Sequence, residues 1–266
     1  MIDRVGEVLD SPHSGTAEIA IALSADPVFL VRLLRIVNSA YYDLPVPIRD
    51  AKHAVAYLGR AETGRLVAAV AVMDELRPDD EAEFRNFWYH AFHSALAAKS
   101  LAIKMARGTE TEEIPVAALL HDVGKLVYLK FFPREFARLN EYRRGHDLTT
   151  IDAEAYLGLP SHTELGARLC ELWRLPEPVR HACLHHELPD LQGMLAGDEA
   201  SEELRIVSLA NLLSNLCTDQ LSEELKTAIH AAAAQALALR DEAEFLLLMG
   251  ELYDLGSKVE GFLGRL

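Results

Sequence analysis

The stretch AALLHDVGKL (117–126) sets a His-Asp pair, His121 and Asp122, at the end of an apolar run and follows it with Gly124 and Lys125. Imidazole and carboxylate are donor types that hold borderline transition metals, and helical proteins build such centres from side chains projecting inward. A second pair, His146 and Asp147 in RRGHDLTT (143–150), has no apolar run before it and serves as a control. The run before His121 anchors its helix in a core, where unpaired polar groups are costly. His146 is instead expected in a solvent-facing turn.

Three further stretches supply candidate donors. His90 and His93 lie three apart in FWYHAFHSALAAKSLA and face nearly the same way on a helix. Ser161 to Glu164 read SHTE, a capping-box form that places His162 at a helix start. His181, His185 and His186 lie in RHACLHHE, where His181 and His185 share a face. His13, His53 and His230 read as surface or packing residues, and His93 and His181 as neighbours rather than ligands. Together the patches predict a metal site; the blander alternative is a hydrogen-bonded polar core.

The elements that must position these groups are helical almost throughout. Asp26 is placed to cap a helix with Pro27 in its first turn, and Val28, Val31, Leu34 and Val37 or Asn38 recur at helix spacing. AKHAVAYLG ends at Gly59, a stop signal, and AETGRLVAAVAVMDEL starts a new helix. Long helices are expected near 82–106 and 112–130. Others cover 133–144, 150–157, 161–173, 176–187, 202–218, 222–238 and 241–264. No alternating run of β-branched and aromatic residues marks a strand. The fold class is all-α, with a polar break at RPDDE (77–81) separating a smaller lobe (1–79) from a larger one (80–266) that carries the His/Asp cluster.

Composition narrows the partners. The net charge of −15 and the lack of a basic patch argue against nucleic acid. A divalent cation would reverse the field locally and admit a small phosphate-bearing ligand. No run approaches the length of a membrane span, and the first residues lack a secretory pattern, so a cytoplasmic protein is expected. Cys170, Cys183 and Cys217 show no CxxC spacing and read as reduced core thiols.

At these residues the sequence resembles the HD superfamily, and most specifically the HD-related output domain (HDOD) family. LLRIVNSAYYDLP, AKHAVAYLG, FWYHA, AALLHDVGKLVYL, HTELGARLCELWRLPEPVRHACLHHE and IVSLANLLSN follow the family's order over nearly the whole chain. The resemblance implies an HD-like helical bundle and a bacterial signalling context. It also implies a ligand set of His90, His121, Asp122, His162 and the pair His185 and His186, with Lys125 near substrate phosphate. One or two divalent ions (Fe, Mn, Zn or Ni) would sit there.

Two departures bear on activity. The late Asp of catalytic HD enzymes reads Asn211, a neutral and weaker ligand, and no Gly-Tyr-Pro motif follows HHELPD. The favoured expectation is therefore a regulatory module, metal-binding but catalytically degenerate, that acts on a protein partner through its amino-terminal lobe. The alternative is a metal-dependent phosphohydrolase with Asp122 and Lys125 as catalytic residues.

Overall fold

The computed structural model describes residues 2–39, 42, 44–105, 113–146, 148–173, 175–187, 201–218 and 221–263. Among these residues the regular structure is helical and no strand occurs. Two compact units divide the chain, one of residues 1–75 with 257–266, the other of 76–256.

The first unit contains α1 (Ile2–Asp10), α2 (Thr16–Ser24), α3 (Pro27–Val37) and α4 (Ala51–Glu75). Asp26 caps α3 as expected, its Oδ1 accepting from the amides of Val28 and Phe29 at 3.1 and 3.0 Å. The residues recurring at helix spacing do not all face inward. Phe29, Leu33, Ile36 and Val37 are buried, whereas Val28 and Val31 are 62 % and 49 % exposed. The helix is apolar on several sides, so docking on α2 and α4 selects its inner face. Asn38 then clips the following loop, donating to the Ile48 carbonyl and accepting from the Ile48 amide, both at 2.7 Å. Gly59 takes φ +74°, a left-handed value that only glycine adopts at little cost, and divides α4 into two arms as the stop signal predicted.

The second unit contains α5 (Glu81–Met105), α6 (Ile114–Leu120), α7 (Val123–Phe131), α8 (Pro133–His146), α9 (Thr150–Leu157), α10 (His162–Trp173), α11 (Glu177–His185), α12 (Glu202–Thr218) and α13 (Glu223–Ala236). The last helix, α14 (Glu242–Leu263), begins in this unit and ends in residues of the first. Its core joins Ala98 and Leu101 of α5, Ala117 and Ala118 of α6, Ile206 and Leu213 of α12, and Leu248 and Leu252 of α14. Small residues where α5 meets α6 let the two backbones approach closely.

The helix expected over 112–130 is broken. α6 ends at Leu120 and α7 starts at Val123, with Asp122 leaving helical geometry at φ −101°, ψ 11°. The reason lies in the packing of α7 on α10. Gly124 meets the backbone of α10 so closely that a Cβ there would lie 1.8 Å from the His162 carbonyl oxygen. The chain must bend to make that contact, and the bend occurs at the His-Asp pair. Cys170 of α10 and Cys183 of α11 are buried, free thiols.

Candidate metal centre

Four helix ends converge on Asp122, which is 1 % exposed. His121 precedes it at the α6–α7 break, His162 opens α10, and His186 follows the last residue of α11. His90 reaches in from the middle of α5. The ring nitrogens are sorted by what lies behind them. His121 Nδ1 donates to the Ala118 carbonyl at 2.6 Å. His186 Nδ1 donates to the carbonyls of Ala182 and Cys183 at 3.0 and 3.1 Å. His162 Nδ1 donates to both carboxylate oxygens of Glu154, at 2.9 and 3.0 Å. Carbonyls and carboxylates only accept, so in all three rings Nδ1 carries a proton and Nε2 is the nitrogen turned toward Asp122.

The two Asp122 oxygens have different surroundings. Oδ2 lies 2.7 Å from Lys125 Nζ, 3.3 Å from His121 Nε2 and 3.7 Å from His90 Nε2. Oδ1 lies 3.1 Å from His186 Nε2 and 3.5 Å from His162 Nε2, yet no hydrogen bond is formed to it. His121 Nε2 is likewise buried without a hydrogen-bond partner. Buried polar atoms in this condition are rare, and ring nitrogens converging on an orphaned carboxylate oxygen offer the donor types a divalent cation takes. Two groups of donors fit one, His90 with His121 and Asp122, and Asp122 with His162 and His186.

The electrostatics follow from burial. Desolvation would raise the Asp122 pKa, but the Lys125 ammonium and His121 override it, and the carboxyl stays well below its ordinary range. Burial pushes His162 down to about 3, with Lys125 adding to the shift, and pushes His90 down to about 3, with His121 and Lys125 adding. Both rings are neutral, the form that ligates metal. Burial also raises Glu154 to about 7. His186 moves the other way: burial would lower its pKa, but the adjacent Asp122 carboxylate raises it.

Of the residues singled out from sequence, His90, His121, Asp122, Lys125, His162, His186 and Asn211 gather here. His185 does not. It is exposed and its ring packs on His181 with centroids 4.8 Å apart. Adjacent residues on a helix point roughly 100° apart, so only one of the pair can face inward. Asn211 is buried, and its Oδ1 lies 3.0 Å from His90 Nε2. His93 is a core residue bonded to Ser214 Oγ and the Leu252 carbonyl. His230 stacks on Phe245, and His13 and His53 are exposed. The control behaves differently from the first pair: His146 ends α8, rather than lying in a turn, and its exposed ring stacks on Tyr142. Asp147 lies outside the described residues.

Two acidic residues escaped the sequence reading. Glu154 is buried in α9 and grips His162; Glu187 Oε1 lies 3.8 Å from His162 Nε2. A carboxylate flanked by small apolar residues in IDAEAYLG was the one available signal for Glu154. A cavity of about 520 Å³ is lined by His90, Asp122, Lys125 and Glu187. Arg143, Arg144, Thr149, Phe87 and Leu129 also line it.

Comparison with known proteins places this arrangement. An uncharacterized protein of Treponema pallidum (strain Nichols) is 25% identical over 210 residues, which cover 79% of this chain. The match spans about 40% of that relative's length. The crystal structure of an HDOD domain protein of unknown function from Geobacter sulfurreducens superposes with a TM-score of 0.70 at 23% identity, covering 98% of this chain and 90% of its own. A Shewanella amazonensis SB2B protein, named provisionally as a phosphohydrolase, gives 0.72 at 21% identity, covering 98% and 92%. At such identities the two structures speak for the fold. The family model described as the HDOD domain matches residues 1–189, well over half of the sequence, and the chain belongs to the HDOD family.

Proposed function

We propose that this chain is a regulatory HDOD module of the cytoplasm. A divalent transition metal at the Asp122 centre would shape a receptor for a small phosphate-bearing ligand, and the response would pass to a protein partner. The observation that carries this reading is the pairing of Asn211 with His90. Where a catalytic HD enzyme is expected to supply a second anionic ligand, this chain has a neutral amide already bonded to His90 at 3.0 Å. A bound ion would supply Lewis acidity toward a phosphate oxygen. Lys125, Arg143 and Arg144 would face the remaining charge, in a cavity whose size suits a small molecule. Exposed apolar residues of the first unit, Ile21, Val28 and Val46 at 62–67 % exposure, support partner docking there.

The test is calorimetric titration of inorganic phosphate and of a panel of nucleotides into the metal-loaded chain, with hydrolysis assayed in parallel. Metal-dependent binding that Arg143→Ala/Arg144→Ala weakens, without turnover, is expected. Sustained hydrolysis of any phosphate ester, abolished by Asp122→Ala, would establish the alternative of a metal-dependent phosphohydrolase. That alternative draws on the two donor groups sharing Asp122, a spacing suited to a pair of ions.

A further inference from the structure

We propose that the centre takes one ion, held by Asp122 Oδ1, His162, His186 and Glu187, and that Lys125 and Asn211 close the other half to metal. The inference rests on the reading above in requiring that a metal binds. It adds where the ion sits and how many there are.

The geometry of the two halves differs. Donors about 2.0–2.1 Å from a tetrahedral ion lie roughly 3.3 Å from one another. In the His162 half the separations are already of that size: 3.1 Å from His186 Nε2 to Asp122 Oδ1, 3.5 Å from His162 Nε2 to the same oxygen, and 3.4 Å between the two Nε2 atoms. Each ring is held from behind, His162 by Glu154 and His186 by two carbonyls. Glu187 Oε1, 3.8 Å from His162 Nε2, lies outside this group of three and would have to move inward to become the fourth donor. Two carboxylates and two neutral imidazoles would balance the charge of a dication.

The His90 half is obstructed, although His121 Nε2 there lacks a hydrogen-bond partner. Its share of Asp122 is Oδ2, and Lys125 Nζ sits on that oxygen at 2.7 Å. An ion there would be pressed against an ammonium group in a poorly screened interior. His90 Nε2 faces Asn211 Oδ1 at 3.0 Å, and Asn215 Nδ2 donates to the same oxygen at 3.4 Å. Asn211 Oδ1 is therefore an acceptor, and the His90 proton lies on Nε2. His90 is the tautomer opposite to the other three rings, with no lone pair turned to the metal. To ligate, it would have to break its bond to Asn211 and move the proton to Nδ1.

The decisive measurement uses the full chain, expressed without a polyhistidine tag, stripped with chelator and reloaded with Mn²⁺ alone. Elemental analysis and electron paramagnetic resonance are read together. One Mn²⁺ per chain with the spectrum of an isolated ion is expected. His186→Asn should reduce the content to below a tenth of an ion, and Asn211→Asp combined with Lys125→Met should admit a second ion and bring exchange coupling. Two coupled ions in the wild-type chain, or one ion that survives His186→Asn, would overturn the inference while leaving the metal-binding reading intact. No bound Mn²⁺, repeated with Zn²⁺ and Fe²⁺, would overturn both. The ion count and spin signature are read on the wild-type chain, and the position of the ion is read on His186→Asn protein whose helical circular dichroism and thermal unfolding match the metal-free wild type, with His121→Asn, which should keep its ion, as the counterpart.

Discussion

Glu154 holds His162 by two contacts at once: its Oε1 accepts from the His162 backbone amide at 3.1 Å and from the ring Nδ1 at 2.9 Å. The carboxylate therefore fixes both the start of α10 and the tautomer of its first side chain. Such partners behind a ligating histidine change metal affinity by about 10–100-fold. Glu154→Gln should weaken Mn²⁺ or Zn²⁺ binding by that factor, measured by competition with a chelator of known affinity. An affinity unchanged within twofold would mean that His162 is not a ligand.

The stability of the chelated protein should fall in acid. His90 and His162, both lowered to about 3 mainly by burial, stay neutral in the folded chain but take protons from pH 6.5 downward once unfolded. Glu154, raised to about 7 by burial, opposes one of them between pH 6.5 and 4.5, because there the folded state holds the extra proton. For these three groups the unfolded state binds one more proton in that range and two more between pH 4.5 and 3. These three groups should thus lower the unfolding free energy by about 1.4 kcal/mol per pH unit and then by about twice that, with His93 and Asp122, both lowered, adding to the fall and His186, raised, opposing it. Urea denaturation at pH 6.5, 4.5 and 3.5 gives the slope, and a flat profile would show that the rings are solvated.

Gly124→Ala should disrupt the α7–α10 contact. The added methyl would meet the His162 carbonyl oxygen at 1.8 Å and the Gly166 amide nitrogen at 2.7 Å, both backbone atoms that cannot swing aside. Overpacking of a core costs about 1–3 kcal/mol and sometimes more. A loss of at least about 3 kcal/mol in chemical denaturation is expected, together with weaker metal binding because His162 is displaced. Wild-type stability would show that α7 and α10 are further apart.

Two histidines outside the centre serve as opposite controls. His93→Ala removes bonds to Ser214 and the Leu252 carbonyl and leaves both without their partner, which costs about 1–3 kcal/mol. His185→Ala touches an exposed ring and should change stability by less than about 0.5 kcal/mol. Neither should alter metal content. A lost ion in His185→Ala would reverse the choice between the paired histidines.

Much of the scaffold was determined by the sequence alone, because helices are specified by local relations. The spacing over 202–218 and 150–157 matches α12 and α9 to the residue, and Asp26, Pro27 and Gly59 act as cap, first-turn residue and breaker over a few positions of chain. The residue types at the centre were also legible, since an apolar run ending in His121 and Asp122 must carry them inward. Tertiary structure alone decided which of the matching side chains meet. His185 and His186 are equivalent in sequence, and the packing of Ala182 and Cys183 in the interior turns His186 toward Asp122. Glu154 and Asn211 lie 8 residues from His162 and 121 from His90, respectively, and no period of a helix encodes either contact. The break at 121–122 is of the same kind: both sides favour helix, and only the close approach of Gly124 to α10 bends the chain. Backbone hydrogen bonding reads the chain a turn at a time, whereas the His/Asp cluster is made where four helix segments are forced to share one small volume.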